Sequence, residues 1–200
     1  MRTNRERQIE DAVIRRPDVL GYPDAAAIRN VRIAWRFGRV DVMLLPRDGL
    51  TKLVLVEAKY AAAPDAVSKV LGQLLMYYAG ALTIGSVGLD CYRRYAGEHR
   101  SEALSHAWTS PKALTGGITP SPAAWAHIES GEKIRPEEVA LIVALSAPPH
   151  DALRHAIRAL NEHHRLHVGI AVADGTSLNL ISPADQAPPR EPPRRRTSRR

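Results

Sequence analysis

Hydrophobic and polar positions along this 200-residue chain follow two periods, and the switches between them mark out the elements. From Asn4 to Arg16, Ile9, Val13 and Ile14 fall at i, i+4 and i+5. Glu6, Glu10 and Asp11 come early, Arg15 and Arg16 late, and Pro17 follows. That pattern predicts a short amphipathic helix whose charges suit the helix dipole. Val31 to Phe37 alternates, Gly38 interrupts, and Val40 to Leu45 leads through Pro46-Arg47-Asp48-Gly49 into Lys52 to Lys59. A period of two broken by turn residues predicts three consecutive strands in an antiparallel meander. Asp65 to Leu82 then sets Val67, Val70, Leu71, Leu74, Leu75, Tyr78 and Leu82 at helical spacing. At about 1.5 Å per residue this helix is long enough to cross the sheet.

Gly85 to Arg135 carries the breakers Gly116-Gly117, Pro120 and Pro122 and reads as an insertion, with short helices expected at Ser101 to Trp108 and Ala123 to Ser130. Glu138 to Ala147 is a near-continuous apolar run, the signature of a strand buried on both faces. Asp151 to His163 places Leu153, Ile157 and Leu160 on one helical face, and Leu166 to Val172 and Leu178 to Ile181 flank Asp174-Gly175 as a closing hairpin. The order is α-β-β-β-α, insertion, β-α-β-β, without internal repeat. The expected fold class is α/β, a central mixed sheet flanked by helices.

Composition narrows the class. Hydrophobic residues at 44% and charged residues at 24% exclude a wholly disordered or fibrous chain. The length suits one domain, residues 1–182, with the insertion at about 85–135. Cys91 is the single cysteine, so there is no internal disulfide and no CxxC metal site, which suits a reducing cytoplasm. The charged N-terminus lacks a secretory pattern, and no stretch approaches the roughly 20 apolar residues of a membrane span, so a membrane is not an expected partner. Net charge is +7, and residues 187–200, with six arginines and one glutamate, supply five of those seven charges. Residues 183–200 are expected to be a disordered Pro/Arg-rich tail. It either attracts phosphate backbones or serves only as a solvated terminus.

The chemical anomaly lies inside the apolar strands. Glu57 and Lys59 continue the face of Leu53 and Leu55, because strand side chains alternate. Asp41 sits between Val40 and Val42 on the preceding strand. A buried carboxylate without a partner costs several kcal/mol, on the order of 2–7 for a polar group and more for a charge. If the two strands pair, Asp41 and Glu57 share a face and repel unless a cation intervenes, and a hard divalent ion, Mg²⁺ with Mn²⁺ as substitute, resolves the conflict. The plainer alternative leaves Glu57 and Lys59 in water past the buried strand, with Asp41 in an ion pair to Arg39 or Lys59.

Gly38-Arg39-Val40-Asp41, Val56-Glu57-Ala58-Lys59 and Gly72-Gln73-Leu74-Leu75-Met76-Tyr77 together resemble the G-R-(I/V)-D, E-x-K and Q-x-x-x-Y series of the PD-(D/E)XK nuclease superfamily, in its RecB-like and NucS-like domains. The resemblance covers residues 6 to 82 and the later β-α-β-β by pattern alone. It departs in having Val40 where the family name has proline, and the insertion carries no family feature. It implies a restriction-endonuclease-like core. Asp41, Glu57 and the Ala58 carbonyl would hold the metal, and Lys59 would position water and stabilise developing charge. Gln73 would fix Lys59 or the water, and Arg39, Lys69 and Tyr77 would contact phosphate. Glu10, on the leading helix, would add a further acid. The implied activity is Mg²⁺-dependent hydrolysis of a nucleic acid, DNA in first place, in repair, restriction or mobile-element defence.

Two alternatives from other classes stay open: a catalytically inactive nucleic-acid-binding module of the same fold, and an interaction domain whose polar strand residues form a structural ion pair. Other motifs add nothing. His163, His164 and His167 form HHxxH without the glutamate of a metalloprotease, Trp35, Trp108 and Trp125 suit packing, and neither a G-x-S-x-G elbow nor a glycine-rich phosphate loop is present.

Overall fold

The structure is a computed structural model and describes residues 4–23, 25–34, 37–46, 49–60, 66–84, 134–175 and 177–181. The tail, most of the insertion with its two expected helices, and all three tryptophans lie outside the described residues. Helix α1 (Asn4–Arg15) is followed by a 3-10 turn (Pro17–Leu20), strands β1 (Ala26–Ala34), β2 (Gly38–Leu45) and β3 (Leu53–Lys59), and helix α2 (Ala66–Ile84). A second 3-10 turn (Pro136–Glu138) leads into β4 (Val139–Leu145), α3 (Asp151–His164), β5 (His167–Asp174) and β6 (Ser177–Ile181). Among the described residues no helix is long and apolar enough to cross a membrane.

The six strands form one mixed sheet in sequence order. β1, β2 and β3 pair antiparallel, β3, β4 and β5 pair parallel, and β6 returns antiparallel to β5. The meander is therefore as expected, and α2 and α3 are crossovers that parallel neighbours require. β1 starts five residues before the alternation at Val31 suggested, since Ala26, Ala27 and Ile28 already pair with Leu45, Leu44 and Met43.

Alternation sorts the core into two layers. Leu53 and Leu55 of β3 and Val139, Leu141, Val143 and Leu145 of β4 pack under Val70, Leu74, Tyr77 and Ala81 of α2 and under Leu153 and Ile157 of α3. Val54, Val56 and Ala58, with Ala140, Ile142 and Ala144, meet Ile9, Ala12, Val13 and Ile14 of α1 on the other face. All seven β4 residues are buried, as a two-sided strand demands. Alanines at 58, 140, 144, 171 and 173 line the α1 side, so a single helix packs close to the sheet there. Pro17 ends α1, and Gly21 at φ +86 closes the following turn by donating its N–H to the Asp18 carbonyl.

Candidate active site

The β2–β3 ladder runs only from Leu44 opposite Val54 to Val42 opposite Val56. One step further the strands part, while β3 stays paired with β4 through Lys59. The Ala58 N–H, left without a β2 carbonyl, donates instead to Asp41 Oδ2 at 2.9 Å. The carboxylate thus substitutes for a missing ladder rung, which holds Asp41 at the fork between the strands. Glu57, at the same fork, is 1% exposed and Asp41 7%. The alternative in which Glu57 faces water is therefore excluded by its burial.

Lys59 Nζ stands 2.7 Å from Glu57 Oε1. Glu57 Oε2 is buried and accepts no hydrogen bond from the described residues. Burial first, and the Asp41 charge second, push the Glu57 carboxyl up to about 7, although the hydrogen bond and charge of Lys59 pull it back. Burial works against the Lys59 ammonium, but its hydrogen bond to Glu57 and the charges of Glu57, Asp41 and Glu6 outweigh it and raise its pKa. Burial, then the charges of the two acids, raise the Tyr77 phenol as well.

Tyr77 comes from α2. Its hydroxyl donates to the Arg39 carbonyl at 2.6 Å, which commits its proton to β2. Gln73, one turn earlier, reaches the same hydroxyl at 3.4 Å through Nε2. Gly38 makes this contact feasible: it adopts φ +87, and a Cβ there would stand 3.0 Å from Tyr77 Cε1. Beside this anchor a groove of about 480 Å³ runs between the start of β2 and α2, lined by Arg39, Lys69, Gln73 and Tyr77 among others. Arg39 and Lys69 are exposed.

The structure thus gathers Asp41, Glu57, Lys59, Tyr77 and Gln73 at one fork, with Arg39 and Lys69 along the adjoining groove. Glu10 is 2% exposed and pairs with Arg29 of β1 at 3.0 Å, on the α1 side of the sheet, where Arg29 also pairs with Asp11. The α1 acid whose charge reaches Lys59 is Glu6, one turn before Glu10. The sequence marked Glu6 only as a first-turn acid. A larger cleft of about 820 Å³ lies at the N-terminal ends of β4 and β5, remote from the fork.

The donor set can accommodate a hard cation. Two carboxylates and the adjoining Ala58 carbonyl are oxygen ligands of the kind Mg²⁺ takes while keeping several waters. Glu57 Oε2, which accepts no hydrogen bond from the described residues, is the atom that such an ion would satisfy. Among the described residues no group of three or more His, Cys, Asp or Glu side chains converges, so water and substrate oxygens would have to complete the shell. Comparison with protein-family models, curated proteins and solved structures finds no match to this chain.

Proposed function

We propose that the chain is a Mg²⁺-dependent nuclease of the PD-(D/E)XK type, with a restriction-endonuclease-like core, hydrolysing phosphodiester bonds of DNA. The observation that carries the reading is the burial of Asp41 and Glu57 at one strand fork beside Lys59, with a Glu57 oxygen that no described residue satisfies. Structural proteins seldom keep such a cluster, because each buried charge without full compensation costs several kcal/mol, typically about 3–5 when a partner is missing.

Asp41, Glu57 and the Ala58 carbonyl would hold the ion, which when bound polarises a phosphoryl oxygen and lowers the pKa of a coordinated water. Lys59, kept protonated by Glu57, lies next to the acids and would stabilise negative charge as it grows on the phosphorus-bound oxygens. Gln73 and Tyr77 act on position: the phenol ties α2 to the Arg39 carbonyl and so fixes the distance between helix and fork. Arg39 and Lys69 would meet the phosphates on either side. Water adds to phosphorus, one P–O ester bond breaks, and the products are a phosphomonoester and a hydroxyl.

Purified protein with Mg²⁺ should cleave DNA, and chelator, Glu57→Gln or Lys59→Ala should each lower the rate by roughly 100-fold or more. The 2.7 Å Glu57–Lys59 contact favours one competing reading, a nucleic-acid-binding module of this fold in which the pair is closed on itself. Salt-sensitive binding without cleavage in any divalent metal would select that module. The absence of both binding and cleavage would leave the pair purely structural.

A further inference from the structure

Resting on the nuclease reading, we infer that the groove between the start of β2 and α2 seats one unstacked nucleotide, so that the substrate class is single-stranded nucleic acid. The groove shares Tyr77 and Gln73 with the acid fork, so whatever fills it lies beside the candidate reacting phosphate. Its about 480 Å³ is in the range of small-ligand sites. It can hold one nucleotide, but a base still paired and stacked in a duplex cannot enter it.

Its lining is mixed in the manner that single strands require. Arg39 and Lys69 put exposed cations at the rim, while Phe37, the one phenylalanine of the chain, and Met76, 48% exposed, add apolar surface. Cations track the backbone and apolar or aromatic side chains take the base faces in proteins that bind single strands. A duplex would meet the cations and leave that apolar surface in water.

Gly72 gives the second argument. It lies within α2, where glycine is the worst residue after proline. Its backbone is not left-handed, and among the described residues a Cβ placed on it would touch nothing within 4 Å. Neither its conformation nor its packing against the described residues calls for glycine at this position. What the missing side chain does provide is an open groove wall.

The test is fluorescence anisotropy of a labelled oligothymidine and of a duplex of equal length, in EDTA, with wild type, Gly72→Leu and Phe37→Ala, and with thermal melts as the fold control. Leucine favours the helix, so Gly72→Leu should melt no lower than wild type. We expect the single strand to bind more tightly than the duplex. Gly72→Leu and Phe37→Ala should each weaken single-strand binding by about tenfold, the effect of losing one base stack, and change duplex binding by less than about twofold. Wild-type affinity for the single strand in Gly72→Leu, or a preference for duplex, overturns the inference. Parallel assays in Mg²⁺ separate it from the nuclease reading. If DNA is cut and Gly72→Leu cuts single strands at the wild-type rate, the groove assignment alone falls. If the groove variants lose single-strand binding but wild type never cuts, the nuclease reading alone falls.

Discussion

At the scale of the residue, Glu57 sets the behaviour of the fork. Its carboxyl is raised from 4.5 to about 7, so between those pH values the folded chain holds a proton that the unfolded chain releases. Stability of the metal-free protein therefore falls as pH rises through that window and levels off above it. The loss should be on the order of 3 kcal/mol. Glu57→Gln removes the titration, and urea denaturation should show a flatter profile and a protein no less stable than wild type at about pH 8, yet without cleavage activity. A constant stability difference between the two across the window would contradict the assignment. Tyr77→Phe tests the anchor: it leaves the Arg39 carbonyl without its 2.6 Å donor. Unfolding should become easier by about 1–2 kcal/mol, with a smaller loss of cleavage than Glu57→Gln causes.

At the scale of the element, the fork exists because β2 and β3 separate after Val42 and Val56, and the start of β2 is held in place by Gly38. Gly38→Ala combines a left-handed backbone with a Cβ 3.0 Å from a ring that cannot easily retreat. Thermal or urea unfolding should register a loss of about 1–2 kcal/mol. A control lies on the far side of the molecule. There the Asn161 side chain donates to the Val168 carbonyl and accepts from the Val168 N–H, both at 2.9 Å, pinning α3 to β5. Asn161→Ala should cost roughly 1–3 kcal/mol without altering metal affinity.

Most elements were legible because their periods are strong: α2 and α3 carry apolar stripes, and β4 has no polar residue from Val139 to Leu145. β1 was less legible, since alanines carry little β signal and Asn30, at φ +55, interrupts it. Asp41 and Glu57 could be placed together from alternation and hairpin order alone. The pairing of Glu10 with Arg29 could not, because it becomes visible only once α1 is assigned to its face of the sheet.

At the scale of the whole molecule, charge and chemistry are separated along the chain. Five of the seven net positive charges reside in residues 187–200, while the acid fork is built by residues 41–59. Removing Pro183 to Arg200 should therefore weaken DNA binding and reduce the salt slope by several units, at most about 5, at about −0.9 per phosphate contact. The intrinsic cleavage rate at saturating DNA should stay unchanged, and a truncation that abolished it would place the tail in the site. The fork itself is tested most directly by titrating Mn²⁺ into the protein by isothermal calorimetry, with Asp41→Asn and Glu57→Gln alongside. Wild type should take up the ion saturably, and more tightly with DNA bound, while neither variant should take it up. A wild type that takes up no Mn²⁺ or Mg²⁺ with DNA present, or variants that take it up equally well, would contradict it.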